Sequence, residues 1–241
     1  MAVRQRRLRE VAKRERLFLD TARALIRRDG LLKLQMARLA QRCDYAVGTL
    51  YQHFASKEDL LVALATDNVQ HRVDLFRRVA AWDAPTRDRM LGIAVADVMF
   101  VRRYPEHFRL AQLAFTDVVW SAASPARRRQ ALAASRPLGE TVIGLIEEAR
   151  KRGDLKLHGL RPSELSFGPW ALTIGVHDIV HIEGVLEQHD VRDPYRLMLR
   201  HFQHLLNGLE WKPHCDPADR AALDRKIQRL CHEVFDGELC L

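Results

Sequence analysis

The sequence predicts an all-α protein, with a small helical domain over residues 1–60 and a larger helical domain over residues 61–241. Three observations carry this. Apolar residues recur at helical spacing along the chain, and neither alternating strand patterns nor Asn-Gly hairpin turns occur. Residues 35–57 read as two short helices joined by a tight turn. Positive charge gathers around that pair. The net charge is +8, and residues 1–60 hold fourteen Lys and Arg against seven Asp and Glu, so the remainder is nearly neutral. At 241 residues the chain is long enough for a sizeable core.

Residues 1–9 carry Arg4, Arg6, Arg7 and Arg9. They read as a mobile basic arm able to reach phosphates or a minor groove. The first helix follows, with Leu8, Val11, Ala12, Phe18, Ala22, Leu25 and Ile26 facing inward and Gly30 ending it. Met36, Leu39, Ala40 and Cys43 then recur at i, i+3, i+4 and i+7, giving the next helix one apolar side. Asp44 suits the left-handed backbone of a turn. In the helix after it, Val47, Leu50, Tyr51 and Phe54 fall within one arc of roughly 100°. Gly48, Thr49, Gln52 and His53 occupy the opposite side, a small polar face that can approach base edges and phosphates.

Ser56-Lys57-Glu58-Asp59 starts a helix, with Ser56 as cap, that should run to about Trp82 before Pro85 breaks it. Thr86–Arg103 is the next. Tyr104-Pro105 and Ser124-Pro125 open two more, and Pro137 should kink or divide the second of these before Gly153 closes it. Arg161-Pro162 opens the most apolar helix. Its side chains from Leu165 to Ile182 do not fit on one side, so it should be covered on more than one face. Asp193-Pro194 opens a helix ending near Gly208, and Asp216–Asp219 caps another reaching about Phe235.

The stretch 16–64 resembles the DNA-binding domain of the tetracycline-repressor (TetR) family. The carrying residues are Leu17–Arg28 with Asp29-Gly30, then Met36-Ala37-Arg38-Leu39-Ala40. Above all they are Gly48-Thr49-Leu50-Tyr51-Gln52-His53-Phe54 followed by Ser56-Lys57-Glu58-Asp59-Leu60-Leu61. The resemblance implies a helix-turn-helix regulator, most simply a cytoplasmic homodimeric repressor of a palindromic operator, released by a small molecule. It implies DNA contacts from Thr49, Tyr51, His53 and Lys57, with Val47 and Gly48 near bases and Gln35 and Arg38 on the neighbouring helix. It also implies dimerisation through residues 162–184 and 194–207. The chain departs from the family pattern where Gln35 replaces a Ser or Thr cap, Asp44 a turn glycine, and Ala46 a Ser or Thr. Each lost cap costs roughly 0.5–2 kcal/mol.

The larger domain should enclose an apolar cavity for an apolar or aromatic effector. Its candidate lining residues are Met99, Phe100, Phe108, Phe115, Trp120, Phe167, Trp170 and His177. No resident cofactor or metal is expected. The pairs His177/His181, His201/His204, His214/Cys215 and Cys231/His232 imply no complete tetrahedral set, although a metal-responsive regulator remains an alternative. The four cysteines form no CxxC pair and read as reduced thiols. No phosphate loop, nucleophile elbow or HExxH helix supports an enzyme. No apolar run approaches a membrane span, and the N-terminal stretch lacks an apolar signal core. The competing reading is a helical protein-interaction module with a vestigial helix-turn-helix. The charge concentrated in residues 1–60 argues against it.

Overall fold

The computed structural model describes residues 2–67 and 69–238, and all regular structure among them is helical. In chain order the helices are α1 (Ala2–Asp29), α2 (Met36–Arg42), α3 (Val47–His53), α4 (Lys57–Asp67), α5 (Val69–Ala80), α6 (Thr86–Arg103) and α7 (Pro105–Ala114). Then come α8 (Asp117–Ala122), α9 (Pro125–Arg152), α10 (Pro162–Val180), α11 (Val185–Gln188), α12 (Pro194–Gly208) and α13 (Arg220–Val234). A single 3-10 turn, Leu31–Lys33, joins α1 to α2. Residue 68 lies outside the described residues, and with it the expected continuity of α4 into α5. Cys240 also lies outside them.

The helices form two compact units, residues 1–69 with 106–134 and residues 70–105 with 135–241. The expected boundary at residue 60 therefore does not coincide with the packing. The reason lies in α4: Leu60, Leu61, Val62, Ala63, Leu64 and Ala65 are all buried, and they share a core with Leu110, Ala114, Val119, Ala123 and Ala131. A helix buried on every side needs neighbours on every side. Residues 106–134 supply those that α1 to α3 cannot.

In the second unit α6 plays the corresponding part. From Thr86 to Val101 nearly every residue is buried, including Arg87, Arg89 and Asp97. Each charge has partners. Arg87 donates to the Gln203 side-chain oxygen (2.6 Å) and to Cys215 Sγ (3.2 Å), while Arg89 donates to the Ala80 carbonyl (2.9 Å) and pairs with Glu148. The C-terminal helix α13 belongs to this core through Leu223, Ile227, Leu230 and Val234. Gly92 lets it close in: a Cβ there would meet Val79 Cγ1 at 2.8 Å and Leu230 Cδ1 at 3.2 Å.

Four expectations change. The arm at residues 1–9 is helical from Ala2 onward, as the start of α1. Pro137 does not divide α9. Ala133, whose carbonyl loses its helical donor, is exposed, so water can take the donor's place. The helix α10 is covered on one stripe only, Leu165, Pro169, Thr173 and His177, while Phe167 and Trp170 stand 61% and 57% exposed. Lastly, Cys43 and Cys215 are free thiols, but Cys231 is disulfide-bonded rather than reduced.

Candidate nucleic-acid interface

The first unit presents a helix-turn-helix whose inner side is fixed by packing and whose outer side is open. Leu39, Ala40, Leu50 and Phe54 are buried against Phe18 and Ala22 of α1. Phe18 is the hub: its ring meets Tyr45, His53 and Phe54 edge-on at 5.4, 5.3 and 6.4 Å. The turn is made by Asp44 at φ 58°, the left-handed conformation that its short polar side chain tolerates. Neither Gln35 nor Ala46 makes a side-chain cap, so α2 and α3 are held by burial rather than by capping. The next helix is better anchored. Ser56 Oγ accepts from the Asp59 amide (3.1 Å), and the buried Asp59 carboxylate accepts from the amides of Ala55 (3.1 Å) and Ser124 (2.6 Å).

The exposed side of α3 carries Val47, Gly48, Tyr51 and Gln52, with Thr49 half-buried between them. Sequence periodicity placed Val47 and Tyr51 inward. At 43% and 48% exposure they lie instead on the outer rim, because Leu50 and Phe54 alone fill the contact with α1. A Cβ on Gly48 would meet no protein atom within 4 Å, so the fold does not require glycine there. Gln35 and Arg38 are exposed on α2, and Arg38 pairs with Asp29 at 3.0 Å. Lys57 is half-buried at the start of α4. His53 is packed on Phe18, and burial together with the nearby Arg14 charge holds its imidazole below the usual histidine range. At neutral pH it is therefore a neutral hydrogen-bonding group and not a cation.

One residue of this site was invisible in the local motif. Arg127, in α9, bonds Glu15 at 2.9 Å, donates to the His53 carbonyl at 3.1 Å and lies 5.2 Å over the Phe54 ring. It ties the C-terminal end of α3 to α1. Nothing local announces this, since the contact spans seventy-four positions.

Residues 18–64 match the family model described as bacterial regulatory proteins, tetR family. The likeness to that family covers this segment, from Phe18 of α1 to Leu64 of α4. Over 50 residues it is 46% identical to the HTH-type transcriptional repressor KstR of Rhodococcus jostii (strain RHA1), a match covering 21% of this chain and 24% of that protein. The chain thus spans about a quarter of the curated relative's length. Solved structures extend the likeness in fold. A protein of unknown function from Rhodococcus sp. RHA1 superposes with a TM-score of 0.62 at 20% identity, covering 81% of this chain and 95% of that one. The TetR family transcriptional regulator PfmR from Thermus thermophilus gives 0.57 at 14% identity, covering 80% and 98%.

The eight candidate effector residues do not behave alike. Phe108, Phe115 and Trp120 lie in the first unit; Phe108 is buried, and Phe115 and Trp120 pack together at 5.1 Å. Met99, Phe100, Phe167, Trp170 and His177 lie in the second. Phe167 and Trp170 stack edge-on (5.8 Å) on the exposed side of α10, facing away from any interior cavity. Met99, Phe100 and His177 are buried. Although expected in an apolar lining, His177 sits in a charged cluster. Its Nε2 lies 3.4 Å from Asp97, which Arg72 grips at 2.6 and 2.7 Å. Tyr195 packs against the His177 ring (5.6 Å), and Arg102 lies over Tyr195 (5.4 Å). Burial raises the Asp97 carboxyl, but the Arg72 charge and His177 outweigh it and lower it to about 2. Among the described residues no group of three or more His, Cys, Asp or Glu could hold a metal, and no helix is long and apolar enough to cross a membrane.

Proposed function

We propose that this protein is a sequence-specific transcriptional repressor in the cytoplasm, a regulator and not an enzyme. It binds a palindromic operator as a homodimer and is released by a small molecule. The observation that carries the reading is the outer side of α3, an exposed strip around Gly48 on a helix locked from behind by Phe18 and Arg127. Bases would be approached by Val47 and Gly48 and phosphates by Thr49, Tyr51 and Lys57, with Gln35 and Arg38 beside them. His53 would contribute a hydrogen bond only. The protomers would pair through α10 and α12, where the exposed Phe167 and Trp170 of α10 form an apolar pair unusual on a monomer surface. The effector, apolar or aromatic, would enter the larger helical part of the chain, where Met99, Phe100 and His177 remain the buried candidates. It would act by favouring a protomer arrangement in which the two α3 helices no longer fit successive major grooves, about 34–36 Å apart.

Titration of a fluorescent duplex at increasing salt tests the DNA reading. Affinity should fall steeply as counterions compete. Lys57→Ala should weaken all duplexes alike and flatten the slope by about one unit. A salt-independent affinity, or none, would return the protein to the interaction-module reading.

A further inference from the structure

The geometry points to a second DNA contact: the segment of α1 preceding Phe18 is a helical phosphate-binding surface that widens the α3 footprint without reading sequence. This rests on the DNA-binding reading above. The family match begins at residue 18, so Ala2–Leu17 lies outside the shared domain. Residues 4–10 are exposed on all sides, and Phe18 is the first side chain buried completely. From Ala2 to Phe18 the helix projects roughly 24 Å.

Charge singles out its partner. Residues 4–16 hold seven Lys and Arg against two Glu. Glu15 is occupied by Arg127, and Arg16 by Asp67. Arg4, Arg6, Arg7 and Arg9 form no ion pair with any described residue. At about 100° per residue, Arg6, Arg9 and Lys13 share one arc of roughly 60°, while Leu8 and Val11 lie opposite. This is a continuous basic stripe, and its like charges at helical spacing repel one another until an anion covers them.

Place singles it out too. Phe18 touches His53, and Arg127 joins Glu15 to the His53 carbonyl. The basic helix therefore leaves the unit beside the C-terminal end of α3. Its shape decides what it can touch. A helix with its side chains is about 10–12 Å across, and a B-form minor groove is about 6 Å wide. A flexible arm could thread that groove, but this helix cannot, so the phosphate backbone remains.

The test replaces Arg6, Arg9 and Lys13 together by Gln, which preserves helix propensity. Binding to a mixed-sequence duplex is measured between about 50 and 200 mM salt for the parent, this variant and Lys57→Ala. Up to three lost phosphate contacts should flatten the slope of log affinity against log salt by as much as about 2–3, well beyond the effect of Lys57→Ala. Circular dichroism and sedimentation should be unchanged. A slope equal to the parent's overturns the inference while leaving the DNA reading intact. A variant that changes its oligomeric state shows the stripe to be a contact between copies, and also overturns it. A parent that binds no duplex overturns both.

Discussion

At the scale of single residues, two sites show what a sequence conceals. Asp97, His177 and Arg72 come from three helices, and each alone reads as a surface charge or an isolated core histidine. Only packing brings them together, and only their mutual pairing makes burial of a carboxylate tolerable. The consequence is measurable. The folded carboxyl titrates at about 2, below its ordinary value of 3.8. Its contribution to stability is therefore complete above about pH 4 and is lost as pH falls through about 2. The difference corresponds to about 2 kcal/mol. In urea unfolding between these pH values, the parent should lose that much more stability than Asp97→Asn does; parallel pH profiles would refute the pairing. Arg127 is the second case. The motif around α3 was legible because its spacing is local, whereas its brace arrives from α9 and leaves no local trace.

Among the elements, helical periodicity located most helices closely, since Gly30, Pro85, Pro105, Pro125, Pro162 and Pro194 punctuate the chain at their ends. It failed where burial and composition part company. The charged α6 is interior because its charges are paired, and the apolar α10 leaves Phe167 and Trp170 exposed, the face that the proposed dimer would cover. That mismatch gives the dimer proposal its physical content. Phe167→Glu with Trp170→Glu changes two exposed side chains that support no core of the isolated protomer. By light scattering at micromolar concentration the pair should convert a dimer to a folded monomer, with helicity retained. A dimer that survives both charges would place the interface elsewhere, and an interface of obligate type should bury on the order of 2,000 Å².

At the scale of the molecule, the unit that holds the helix-turn-helix and the larger helical remainder carry different kinds of information. In the first, the two short helices, the turn at Asp44 and the exposed face around Gly48 were legible because local spacing sets them. The second was legible only as helices, because many combinations of apolar side chains can fill a helical core. The central claim is that α3 meets DNA at Gly48, and one substitution separates fold from function there. Gly48→Ala adds a methyl group into open space and improves helix propensity by roughly 0.5–1 kcal/mol, so folding should not suffer. The direct measurement is a footprint of parent and variant on host DNA fragments selected by the parent, alongside thermal melts. The account predicts two protected major grooves one helical turn apart for the parent, about 10–10.5 base pairs. For Gly48→Ala it predicts much weaker protection at an equal or higher melting temperature. Equal protection by a stably folded Gly48→Ala protein, or no protected fragment for the parent, would contradict it.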